Sequence, residues 1–266
     1  MQPSVLATVL GTVALLAACA APGSGSSTAA PAELRTASDQ TDADRRAAVR
    51  MELAALHFGR GQYETALDEI KLALQSRPDL DPAFSLRGLV YASMGEVALA
   101  DESFNRALQI NPRDADVMHN RAWFLCQRAS YAAADQLFER ALAIPQYRDV
   151  QRTLLAQGVC HARAGRLDEA ERKLARAYEL DPTNPSTALN LSEVLYKRGD
   201  YERARFYIRR VNQREELSNA QTLWLALRVE NRLGNRGGVE EYARQLRNRF
   251  PQAPETLAYD RGRLDE

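Results

Sequence analysis

The side chains best suited to covalent or coordination chemistry are three cysteines, Cys19, Cys126 and Cys160, and three histidines, His57, His119 and His161. A thiol can be acylated, oxidised to a disulfide or bound to a metal, and imidazole can bind metal or move protons. The spacing supports little of this. No two cysteines and two histidines fall at the short separations of a zinc site. Cys160 and His161 are sequence neighbours, which on a helix point to different faces. Serine, histidine and aspartate occur, but nothing places them together, and no glycine-rich phosphate loop is present. The residues point to no catalysis, no cofactor, no metal and no small-molecule substrate. Acidic and basic residues balance at 35 each, so no net field draws the chain to nucleic acid.

The elements that would position these residues begin with an export signal. Val5 to Ala18 is uncharged and nearly all apolar or small, too short to span a bilayer but suited to a signal-peptide core. It ends in Leu16-Ala17-Ala18-Cys19, which resembles the bacterial lipobox, so residues 1–18 are expected to be cleaved and Cys19 to carry lipid. Met1 to Leu10 lacks the usual lysine or arginine. Ala20 stands where an aspartate would retain a sorted lipoprotein in the inner membrane. That resemblance implies an outer-membrane anchor with the protein facing the periplasm. Residues 19–46 open with an Ala/Ser/Gly/Pro/Thr-rich stretch expected to act as a flexible tether.

A period of 34 residues follows. Gly61, Tyr63, Ala66, Ala73 and Pro78 return as Gly95, Val97, Ala100, Ala107 and Pro112. The frame recurs as Tyr131, Ala134, Phe138 and Ala141, then Gly165, Leu167, Ala170, Leu174, Ala177 and Pro182. Gly199, Tyr201, Ala204 and Ile208 make a fifth copy, and Gly234, Val239, Ala243, Leu246 and Pro251 a weaker sixth. This resembles the tetratricopeptide (TPR) consensus. Glycine ends the first helix, alanine admits close helix contact, and proline closes the second helix. The expected fold is all-α, a right-handed superhelix of about six helix-turn-helix repeats spanning 47–253. Units fall at 47–80, 81–114, 115–148, 151–184, 185–218 and 220–253, followed by a polar tail at 254–266 that caps or frays.

In that frame Cys126 and Cys160 lie late in the first helices of adjacent repeats, close enough for a bridge. Oxidation after export favours a disulfide over two buried thiols, with Cys19 lipidated and the remainder even. The first helices would line a concave groove, with Met51, Phe58, Leu89, His119, Trp123 and Leu155 as its apolar partner-binding residues. Further along, Glu193, Tyr196, Lys197, Arg228 and Arg232 make it polar. A basic stretch, Arg203, Arg205, Arg209, Arg210 and Arg214, reads either as a solvated helix face or as a contact for an anionic partner.

The order of lipobox, tether and six repeats is similar to the type IV pilus biogenesis/stability lipoproteins of the PilW/PilF pilotin family. His119-Asn120-Arg121-Ala122-Trp123-Phe124-Leu125-Cys126 resembles that family's Asn-Tyr-Gly-x-Phe-Leu-Cys segment, and Gly158-Val159-Cys160 its second cysteine. Ala188 to Tyr196 and Gly199-Asp200-Tyr201 also resemble it, while Arg121-Ala122 replaces the Tyr-Gly pair. The resemblance implies a protein that helps the pilus secretin subunit reach the outer membrane and assemble. Other classes left open are an adaptor for cell-wall hydrolases or outer-membrane protein assembly, and a periplasmic chaperone.

Overall fold

The computed structural model describes residues 41–264, and the described residues contain helices and turns but no strand. The lipobox, Cys19 and most of the tether lie outside them. Six helix pairs follow one another: α1 (Asp42–Gly59) with α2 (Tyr63–Ser76), α3 (Asp81–Met94) with α4 (Val97–Ile110), and α5 (Ala115–Gln127) with α6 (Tyr131–Leu142). Next come α7 (Val150–Arg163) with α8 (Leu167–Leu180), α9 (Pro185–Arg198) with α10 (Tyr201–Asn212), and α11 (Ala220–Arg232) with α12 (Arg236–Arg249). A short α13 (Pro254–Asp260) packs on α11 and α12.

Helix starts and stops follow local chemistry. Gly95 and Gly199 end α3 and α9 with φ of 82° and 83°, a conformation glycine adopts without a Cβ penalty. The turn then closes as Glu96 N–H donates to Tyr91 C=O and Asp200 N–H to Leu195 C=O, both at 2.9 Å. In the third repeat Ala129 takes the same left-handed place, with φ of 58°. The repeat frame begins at residue 47 and leaves 19–46 to the tether, yet α1 starts at Asp42. Thr41 and Asp44 form a reciprocal capping box, and Arg77 pairs with Asp44, so the helix gains about one and a half turns of that region.

The core runs between the helices of each pair. Ala66, Ala100, Ala134, Ala170 and Ala204 are fully buried, as are Phe104, Phe138, Leu174 and Ile208 one turn later. The partner positions on the first helices are small throughout: Ala54, Gly88, Ala122, Gly158, Ser192 and Ala226. Small residues on both sides bring the axes close, and the large side chains then fill the neighbouring layer. Each first helix packs backbone to backbone on the next first helix, from α1 through α11, whereas successive second helices meet through side chains, such as Lys173 of α8 on Glu139 of α6 and Tyr178 of α8 against Tyr207 of α10. The stack therefore closes on its first-helix side and opens on the other.

Polar contacts tie successive repeats together. Arg121 pairs with Asp101 at 3.1 Å, Lys173 with Glu139 at 2.5 Å, and Arg198 and Arg203 both with Glu171. The tail does not fray at once. Thr256 donates to the Phe250 carbonyl at 2.7 Å, and Tyr259 and Leu264 cover the last core cluster.

Candidate functional site: the first-helix groove

Three of the sequence-derived groove residues meet in one place. His119 and Trp123 on α5, Arg152, Leu155, Ala156 and Val159 on α7, and Asn190 on α9 line a cavity of about 340 Å³. The i, i+4 spacing of His119 and Trp123 puts both on one face of α5. Leu155 and Val159 repeat that spacing on α7.

His119 forms the floor. It is 8% exposed, its Nδ1 lies 2.9 Å from the Thr153 hydroxyl, and its ring meets Phe138 edge-on at 5.9 Å. Tyr147 reaches the same hydroxyl at 2.8 Å. Burial, helped by the nearby Arg152 charge, lowers the imidazole pKa to about 4, so the ring is neutral at pH 7. Trp123 is half-buried, with the Arg163 guanidinium 5.0 Å from its ring centroid. Arg152 sits at the rim, 3.3 Å from Asp116, whose pKa is raised by burial against the pull of Arg152. An apolar floor and wall with a cationic rim suits a side chain of a peptide or helix.

A second cavity of about 330 Å³ continues the groove along α9 and α11, lined by Glu193, Tyr196, Lys197, Gln221, Trp224, Leu225 and Arg228. Arg228 stands 4.7 Å from the Tyr196 ring centroid. Burial raises the Glu193 carboxyl pKa, although Lys197 and Arg228 pull it down.

Met51, Phe58 and Leu89 are placed differently. Met51 and Phe58 are half-buried against the cluster built on Ala54, Ala66 and Ile70, with Phe58 6.1 Å from the Tyr63 ring. Leu89 packs against Ala100, Phe104 and Phe124. None of the three joins the Trp123 cavity. Conversely, Arg152 and Asn190 were missed by sequence reasoning. Arg152 lies three residues before Leu155 on the same face, a signal that apolar patterning passes over.

Beside this cavity Cys126 of α5 and Cys160 of α7 form a disulfide, with Cα atoms 5.7 Å apart. His161 Nε2 lies 3.1 Å from Asp135, and burial lowers its pKa against the Asp135 charge. Gln157 Nε2, on the next α7 turn, donates to Asp135 and Glu139 at 2.7 Å each. Among the described residues no three His, Cys, Asp or Glu side chains converge on a metal position.

Comparison with known proteins agrees with the repeat frame. Tetratricopeptide repeat models match residues 115–144 and 161–224, and a tetratricopeptide repeat-like domain model matches residues 9–122. The type IV pilus assembly protein PilF of Pseudomonas aeruginosa is 27% identical over 201 residues, covering 76% of this chain and 79% of that protein. The P. aeruginosa PilF structure superposes with a TM-score of 0.71 at 24% identity, over 84% of this chain and 100% of that one. The crystal structure of PilW, described as a widely conserved type IV pilus biogenesis factor, superposes with a TM-score of 0.74 at 30% identity. That match spans 80% of this chain and 97% of PilW. With likeness of that extent in sequence and in helix order, the chain belongs to the PilW/PilF family of tetratricopeptide-repeat proteins of type IV pilus biogenesis.

Proposed function

We propose that this protein is a pilotin: a non-catalytic scaffold, lipid-anchored to the outer membrane through Cys19 and facing the periplasm, that receives secretin subunits. Membership of the PilW/PilF family is the observation that carries the reading. The cavity at His119, Trp123 and Leu155 supports it, because it offers an apolar anchor point for a segment of another polypeptide. In this mechanism the acyl chains supply membrane affinity and the groove holds an unassembled subunit. Coupling the two raises the subunit's effective concentration where the ring must form.

The test is the amount of heat- and detergent-resistant secretin multimer in outer membranes, with and without the gene. Loss of multimers while monomer persists upholds the proposal. Intact multimers reject it, and co-purification with cell-wall hydrolases or outer-membrane insertion machinery would then favour an adaptor role. A Trp123→Ala variant is expected to fold and to bind the subunit about tenfold or more weakly, as truncating a buried aromatic anchor does. Unchanged binding by that folded variant removes Trp123 from the interface.

A further inference from the structure

Past the Trp123 cavity the groove enters a stretch whose polar groups have no partners inside the chain. α9 borders both cavities, through Asn190 on the first and through Glu193, Tyr196 and Lys197 on the second. Glu193, Lys197 and Gln221 make no hydrogen bond or ion pair with any described residue. Lys197 and Arg228 pull on the Glu193 charge from a distance without bonding it. Asn190 spends its amide hydrogen on the Ser186 carbonyl at 2.8 Å, which leaves its side-chain oxygen open. Arg228 is the sharpest case, since its Nε–H is shut off from solvent and has no acceptor.

Polar groups that lose water without gaining a partner cost stability unless a ligand completes them. Here they surround an apolar floor made by Trp224 and the buried Leu225. The set holds donors and acceptors together, and charges of both signs, so it selects neither an acidic nor a basic ligand. A polypeptide backbone that has not yet paired offers what is missing, one donor and one acceptor per residue without net charge. A helix does not, because its N–H and C=O groups bond one another. From Asn190 to Lys197 α9 rises about 10 Å, the length of about three residues of extended chain.

We propose that this stretch grips an extended segment of the partner by its backbone. Glu193 accepts a backbone N–H, Arg228 and Gln221 donate to backbone carbonyls, and a neighbouring apolar side chain enters the Trp123 cavity. Taking the groove as the partner site proposed above, the subunit is caught with an unpaired strand, its state before it joins its neighbours. An unpaired strand edge is also what aggregates. Covering it keeps the subunit apart until a neighbour takes over its hydrogen bonds.

The experiment selects random peptides displayed on phage against the purified full chain and measures their binding by fluorescence polarisation. The expected peptides share one large apolar residue, show no excess of either charge, and bind Trp123→Ala at least about tenfold more weakly. N-methylation of a single backbone nitrogen removes one donor and keeps every side chain. At one or more positions within about three residues of the apolar anchor it should weaken binding at least about tenfold. Glu193 is on the surface, so Glu193→Ala should fold normally, and it should bind that N-methylated peptide and its parent alike. Replacing residues beside the anchor with α-aminoisobutyrate, which favours helix, should weaken binding. No selected peptide, peptides that bind Trp123→Ala normally, N-methylation tolerated at every position, or tighter binding with α-aminoisobutyrate would each overturn the proposal. The two readings fail separately. Secretin multimers that survive loss of the gene reject the pilotin role, whereas peptides insensitive to N-methylation reject the extended segment.

Discussion

Ala129 and His119 each hold a conformation or charge state that their own chemistry disfavours. Ala129 occupies the left-handed turn that glycine fills in the other repeats. A Cβ in that region costs about 1–2 kcal/mol, and glycine gives back part of the gain through its freer unfolded chain. Ala129→Gly is therefore expected to stabilise by about 0.5–1 kcal/mol, read as a melting temperature about 2 °C higher. His119 is buried and neutral, with its pKa lowered to about 4 from an ordinary 6.5. The unfolded chain then binds a proton that the folded chain refuses, so stability falls as pH drops below about 6.5 and levels off near 4. By pH 5 the loss is on the order of 2 kcal/mol from this one group. His161 is lowered in the same direction, so both contribute to the slope. Urea titrations between pH 7 and pH 5 should show a steep fall for wild type and a shallower one for His119→Gln. Equal slopes would mean that His119 is not buried neutral.

At the scale of helix against helix, the small residue in the middle of each first helix decides how near the second helix can come. A Cβ added to Gly158 would stand 2.6 Å from Leu174 Cγ and 3.2 Å from its backbone nitrogen. The backbone cannot yield as a side-chain tip can, so α8 would have to move. Gly158→Ala is expected to cost about 1–3 kcal/mol although alanine is the better helix former, and chemical denaturation measures it. A neutral or stabilising result would show that α7 and α8 are less tightly apposed. This position was legible and passed over. Ala54, Gly88, Ala122, Gly158, Ser192 and Ala226 are all small in the same repeat frame, away from the helix ends where glycine marks a turn. The start of α1 lies ahead of the first unit at 47 because the Thr41–Asp44 cap falls outside the 34-residue frame.

Across the whole solenoid, the disulfide fastens α5 of the third repeat to α7 of the fourth. It closes a loop of 34 residues, which on the chain-entropy account stabilises by about 3–4 kcal/mol. The Cys126→Ser and Cys160→Ser double variant should lose about that amount in urea titration, whereas a wild-type midpoint would leave the bridge without thermodynamic weight. Its position also keeps α5 and α7 in register, and these two helices supply most of the walls of the Trp123 cavity. Loss of the bridge should therefore weaken partner binding in the groove before it unfolds the stack.

The sequence by itself determined the helix pairs, their turns, the repeat and its family, since each rests on local preference or on a fixed spacing along the chain. Glycine ends a helix, proline stops one, and alanine at a 34-residue interval meets its counterpart in every unit. Only the tertiary structure decided which side chains of the groove face share a cavity. It grouped His119, Trp123 and Leu155 and left Met51, Phe58 and Leu89 on other clusters. It also decided that Arg209, Arg210 and Phe206 border an open furrow. Both outcomes depend on the distance between helices far apart in sequence. That distance is set by the summed packing of small and large residues across several repeats, so no single repeat encodes it.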